Sequence, residues 1–129
     1  MCFEDDPFGV VDAEAAEETL TRQMRGLEKR YFSNVTPIDR LEVKNLDGPA
    51  KLLCIGKERV LQINPAVAPY ARLSSVLILH ELINNKLLLE GRAIVDGRPL
   101  YEIDKPAYEA LVQPEVDRLW RDGAYIGLL

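Results

Sequence analysis

The sequence predicts an α+β fold in which a small, mainly antiparallel sheet packs with a buried central helix and with helices at both ends. Apolar residues recur at three- and four-residue spacing in the N-terminal, central and C-terminal parts of the chain. Between the first two of these regions lie short β-prone runs, separated by the turn sequences 47–49 and 56–58. A chain of 129 residues is long enough for one core, so we predict a single domain over 1–129.

Three helices are predicted, over 12–32, 72–90 and 106–121. The residues before 12 are expected to form a loose lead-in, and Asp12 is a suitable N-cap for the first helix. Apolar residues surround much of the central helix, which indicates burial on several sides. Pro114 is expected to interrupt or restart the last helix.

Three short strands are predicted between the first two helices, over 41–46, 51–55 and 60–64. Connections this short favour an antiparallel meander, in which each strand pairs with the next one along the chain. The segment 93–101, which contains Asp96-Gly97, is expected to form a small hairpin or tight loop.

Composition limits the classes of function. The hydrophobic fraction of 47% and charged fraction of 29% are those of an ordinary globular protein, and the net charge of −5 argues against broad nucleic-acid binding. No apolar run approaches membrane-spanning length, and the acidic N-terminal residues do not resemble a signal peptide. Cys2 and Cys54 are interpreted as free thiols, and a cytoplasmic location is predicted.

One segment of the predicted central helix carries a pattern of residues typical of catalysis. His80-Glu81-Leu82-Ile83-Asn84 matches the zinc peptidase motif H-E-x-x-H except at its last position. In that motif, two histidines one helical turn apart hold the metal, and the glutamate removes a proton from metal-bound water. The chain has one histidine, so two histidines of one molecule cannot form such a site. A hydrogen-bonded core histidine is the alternative interpretation of His80.

A longer stretch, from about Leu20 onward, resembles the SprT-like and minigluzincin group of small zinc metallopeptidases. The resemblance rests on 29–32 at the end of the first helix, 60–65 in the strand before the central helix, 79–83 in that helix, and 123–125 near the C-terminus. It implies a zincin fold, with His80 as the first zinc ligand and Glu81 as the general base.

The resemblance also implies two further ligand positions. Asn84 stands at the second, and an amide oxygen is a weak ligand for zinc. For the third, the available acids are Asp96, Glu102 and Asp104. We interpret Asp96 as a turn residue and the other two as solvated or capping residues. No bound cofactor is expected unless a zinc site forms from His80, Asn84 and Asp96.

Side chains outside the motif have simpler interpretations. Glu90 is expected at the surface, and Trp120 is expected to pack in the core with Leu119 and Val116. Arg118 and Arg121 are expected on a solvated face, or paired with acids of the first helix.

Three hypotheses of function follow. The first is a non-catalytic pseudopeptidase that binds an extended peptide or protein segment along an edge strand. The second is an active metallopeptidase with an unusual ligand set of His80, Asn84 and a downstream acid. The third is a structural or oligomerising module.

Overall fold

The computed structural model describes residues 13–126, so the predicted lead-in, the N-cap Asp12 and Cys2 lie outside the described residues. The α+β fold predicted from the sequence is confirmed. The elements are, in order, α1 (Ala13–Tyr31), β1 (Arg40–Val43), β2 (Ala50–Ile55), β3 (Glu58–Ile63), α2 (Ala71–Leu89), β4 (Ile94–Val95), β5 (Arg98–Pro99), α3 (Leu100–Ile103) and α4 (Lys105–Arg121).

The main sheet has the strand order β1-β3-β2, so the predicted meander is wrong. β2 and β3 form the expected antiparallel hairpin, but β1 pairs with the far side of β3 in parallel. The connection between β1 and β2 crosses the end of β3, where the Asn64 side-chain amide donates to the carbonyl oxygens of Leu46 (3.0 Å) and Gly48 (3.2 Å). These bonds stabilise the β1–β2 connection where it crosses the end of β3. The short length of the connection alone does not predict this path.

α2 is buried on several sides, as predicted, because it packs against α1, the sheet and α4. Its apolar side chains Ile78, Leu79, Leu82, Ile83 and Leu87 form the centre of the core and are at most 1% exposed. Its polar side chains differ from one another in burial: Asn84 and Asn85 are buried, whereas His80 is exposed. His80 is therefore not a core histidine.

The predicted small hairpin is present as β4 and β5. Asp96 (φ 52°) and Gly97 (φ 76°) both adopt the left-handed conformation that a two-residue turn of type I′ requires, which confirms the turn interpretation of Asp96. No helix among residues 13–126 is long and apolar enough to cross a membrane.

Two predictions for the C-terminal part are wrong. α4 runs through Pro114 without interruption, because core-packed residues on both sides, including Tyr108 and Leu119, hold the helix together. Trp120 is 48% exposed and stacks on Tyr125, with 4.8 Å between ring centroids, since it lies about 100° around the helix from Leu119.

Arg121 is exposed, as predicted, whereas Arg118 is partly buried and binds differently from the prediction. Arg118 pairs with Glu115 and Asp122 of its own segment and donates to the Tyr31 carbonyl oxygen at 3.1 Å. Its contact with α1 is therefore to the backbone at the end of that helix, and its carboxylate partners lie in or next to α4.

Candidate functional site

His80, Glu81 and Asn84 line one cleft, and His80 also lines a second cleft that adjoins it. The first, which we name the strand cleft, has a volume of about 350 Å³ and separates these residues from the segment containing Ala50 and Leu52 of β2. The second, the helix cleft, has a volume of about 580 Å³ and lies against α4. His80, Tyr101 and Tyr108 line both clefts. The helical spacing of the motif thus places its residues on a concave surface, as a binding or catalytic site requires.

Asn84 is held at the centre of a short hydrogen-bonded chain. The Tyr108 hydroxyl donates to Asn84 Oδ1 at 3.2 Å, and Asn84 Nδ2 donates to Glu81 Oε1 at 3.4 Å. Asn84 is 9% exposed. Both ends of its amide are therefore engaged within the protein.

Glu81 carries a charge that its surroundings compensate poorly. Burial raises the pKa of its carboxyl group, and this effect outweighs the lowering by the positive charge of His80 and by the Asn84 hydrogen bond. Within the described part of the chain, no cationic side chain forms an ion pair with it. A carboxyl group with a pKa raised by burial in a cleft is a candidate functional group.

Two tyrosines complete the wall of the strand cleft. The rings of Tyr101 and Tyr108 meet edge to face, with centroids 5.7 Å apart. Burial, followed by the charge of Glu81 and by Tyr101, raises the pKa of Tyr108 to about 12, so its hydroxyl stays protonated and donates to Asn84. Burial and the charges of Glu102 and Glu81 also raise the pKa of Tyr101.

The backbone of β2 offers hydrogen-bonding groups beside this cleft. The Asn64 N–H donates to the Pro49 carbonyl oxygen at 2.9 Å, and the register pairs Ala50 with Ile63 and Leu52 with Leu61. Bonding in an antiparallel pair alternates, so Ala50, Leu52 and Cys54 direct their N–H and C=O groups away from β3. In the described sheet no strand pairs with that edge of β2.

The opposite edge of the sheet is covered. The outward-facing Val43 N–H of β1 donates to Glu17 Oε2 of α1 at 3.0 Å. An incoming strand therefore meets a helix at β1, while at β2 it meets unpaired backbone groups next to the cleft.

The residues present do not fit a catalytic zinc ion. The side-chain oxygen of Asn84 is a weak zinc ligand, and it already accepts a hydrogen bond from Tyr108. Asp96 lies in the β4–β5 turn, and Asp104 caps α4 by accepting from the Ala107 N–H at 3.1 Å. Over residues 13–126, no group of three or more His, Cys, Asp or Glu side chains is arranged to hold a metal ion.

The remaining acids considered from the sequence lie apart from the clefts. Glu102 is exposed on α3. Glu90 is exposed at the end of α2 and pairs with Arg92 at 3.0 Å. Neither lines the strand cleft or the helix cleft.

Sequence reasoning identified the motif but missed Tyr101 and Tyr108. Tyr108 precedes Glu115 by seven residues and Leu119 by eleven, so the three side chains lie on one buried face of α4. A tyrosine at the end of such a face presents a hydroxyl that needs a polar partner, and the neighbouring buried asparagine provides it.

Comparison with known proteins yielded no match: no protein-family model, no curated protein and no solved structure is similar to this chain. The resemblance to SprT-like peptidases therefore stays a prediction from the residues of the motif.

Proposed function

We propose that this chain is a zincin-like pseudopeptidase that binds an extended peptide or protein segment in the strand cleft. The observation that carries the proposal is the unpaired edge of β2 beside His80 and Glu81. An extended segment that adds to this edge gains main-chain hydrogen bonds from β2 and brings its side chains to the cleft. Hydrolysis is not proposed, because the second ligand position of the motif holds an amide, whose oxygen is a weak zinc ligand and already accepts a hydrogen bond from Tyr108.

Strand addition predicts that binding depends on the outward-facing N–H of Ala50. Ala50→Pro removes this donor but leaves the bonds to β3 intact, because residue 50 does not donate to that strand. We expect the affinity for a peptide selected from a displayed library of random nine-residue peptides to fall by about tenfold, through the lost bond and the bulk of the ring. Isothermal titration calorimetry measures this change.

Ala50→Val is the matched control, since valine adds similar volume at the same position and keeps the N–H. We expect its affinity to stay within about twofold of the parent's. Equal affinities for Ala50→Pro and Ala50→Val would contradict strand addition at β2. A library that yields no binding peptide would contradict the proposed function as a whole.

The zincin-like interpretation of α2 predicts that Asn84→His gains zinc binding. The new imidazole would lie one helical turn from His80 on the same face, which gives two of the ligands that zinc prefers. A metal that binds only the folded state adds about 2.7 kcal/mol of stability at a zinc concentration a hundred times the dissociation constant. We expect a zinc-dependent rise in melting temperature for the variant alone.

Asn45→His is the control for that measurement, because it adds a second histidine at an exposed position outside the clefts. The metal-free Asn84→His protein should melt below the parent, since it loses the bond from Tyr108. An equal response to zinc in both variants would count against a former ligand position at Asn84.

A further inference from the structure

The carboxyl group of Glu81 has no cationic hydrogen-bond partner among the described residues. The only hydrogen bond of its side chain among the described residues is the long one from Asn84, at 3.4 Å. Within residues 13–126, the one basic side chain whose charge affects the pKa of Glu81 is that of His80, which is exposed at the preceding position of the helix. A bound ligand that brings a cation to this carboxylate would therefore supply a strong, charge-assisted hydrogen bond that the protein itself does not make.

Strand addition brings one side chain of the bound segment to this carboxylate. Leu52 packs against the core on the face of the sheet that α2 covers, and its partner Leu61 lies on the same face. Residues directly opposite each other on neighbouring strands share a face. The residue of an added strand that lies opposite Leu52 thus projects toward Glu81, Tyr101 and Tyr108, which line the cleft beside Leu52.

We propose that the bound segment carries an arginine or lysine at this position, whose cationic group pairs with Glu81 and lies against the rings of Tyr101 and Tyr108. Aromatic faces attract such cations, and a carboxylate at the end of the cleft fixes the position of the charge. This inference rests on the proposed function, since it specifies the partner of the same site.

The charges around the strand cleft favour a basic partner. Asp47 and Glu81 both line it. Lys51 also borders it, but the side chain of Lys51 alternates with that of Leu52 and points to the other face of the sheet. Lys105 lines only the helix cleft, together with Glu109. An acidic side chain in the strand cleft would share it with the carboxyl groups of Asp47 and Glu81, and the net charge of −5 also attracts basic segments.

The test uses a positional-scanning library of nine-residue peptides, acetylated and amidated so that the termini carry no charge. We expect arginine and lysine to be enriched at one position. Replacement of an arginine at that position by citrulline, which keeps the shape of arginine but removes its charge, should weaken binding to the parent protein about tenfold. The same replacement should change binding to the Glu81→Gln variant less than about twofold, because glutamine has no charge to pair.

Glu14→Gln is the matched control, because it removes the same charge from an exposed position on α1. In this variant, the citrulline replacement should weaken peptide binding by the same factor as in the parent protein. Peptides that bind with no basic preference, or a citrulline effect of equal size in Glu81→Gln, would overturn this inference while sensitivity to Ala50→Pro still supports strand addition. Peptides that fail to bind at all would instead overturn the proposed function.

Discussion

Replacement of Asn85 by alanine should lower the free energy of unfolding by about 2–4 kcal/mol, since it removes both hydrogen bonds made by a fully buried side chain. Asn85 is 1% exposed. Its Oδ1 accepts from Arg59 Nη1 at 2.7 Å, and its Nδ2 donates to the Thr36 carbonyl oxygen at 3.0 Å. The substitution removes a charge-assisted bond to β3 and the bond that fastens the segment before β1.

Chemical denaturation followed by circular dichroism measures the loss. Asn45→Ala is the control, because Asn45 is exposed in the connection between β1 and β2, and its stability should stay within about 0.5 kcal/mol of the parent's. A loss below about 1 kcal/mol for Asn85→Ala would show that water replaces both bonds without cost.

The two adjacent asparagines of α2 therefore have different roles. Asn85 fixes the chain before β1, and Glu28 supports the same segment by accepting from the Ile38 N–H at 2.8 Å. Asn84 lies about 100° away around the helix and faces the cleft, where it meets Tyr108. Substitution of Asn85 should thus change stability, while substitution of Asn84 should also change the site.

The helices could be predicted from the sequence because their signals are local. The prediction of 72–90 for α2, observed as Ala71–Leu89, rests on apolar spacing and on Gly91 after the helix. The partner of β1 could not be predicted in this way. Its parallel pairing with β3 depends on contacts such as Asn64 with Leu46 and Asn85 with Thr36, which join residues 18 and 49 positions apart.

The same distinction applies to the candidate site. His80, Glu81 and Asn84 lie on one helix, so their spacing was sufficient to predict that His80 and Asn84 share a face. Tyr108 reaches Asn84 from a helix 24 residues further along the chain, and no local pattern specifies that contact. The sequence thus predicts which residues could act together on α2, while tertiary packing determines that the amide of Asn84 is already engaged.

Glu115→Gln should lower the free energy of unfolding at pH 7 by about 1–3 kcal/mol, because it removes the charge that joins α4 to α2. Glu115 is 8% exposed, and the Lys86 ammonium lies 2.5 Å from its Oε2. Burial alone would raise the pKa of this carboxyl group, but the hydrogen bond from Lys86 and the charges of Lys86 and Arg118 hold the pKa below the ordinary value of 4.5.

The lowered pKa of Glu115 determines how the effect of Glu115→Gln on stability depends on pH. A carboxyl group whose pKa is lower in the folded state stabilises the fold above its unfolded pKa, and this stability is lost as pH falls through the folded pKa. The difference in free energy of unfolding between the parent and Glu115→Gln should therefore be largest near neutral pH and should shrink below about pH 4.5. Denaturant unfolding at pH 7 and pH 3, at constant ionic strength, measures it.

Glu109→Gln on the same helix is the control, since Glu109 is exposed and forms no ion pair with any residue from 13 to 126. Its stability should follow that of the parent at both pH values. A Glu115→Gln deficit that stayed constant between pH 7 and pH 3 would mean that the shape of the glutamate, rather than its charge, stabilises the α2–α4 contact. Equal stabilities of the parent and Glu115→Gln at pH 3 would instead show that the ion pair with Lys86 stabilises the packing of α4 against α2. The same ion pair would then keep Tyr108 of α4 next to the helix that carries His80 and Glu81.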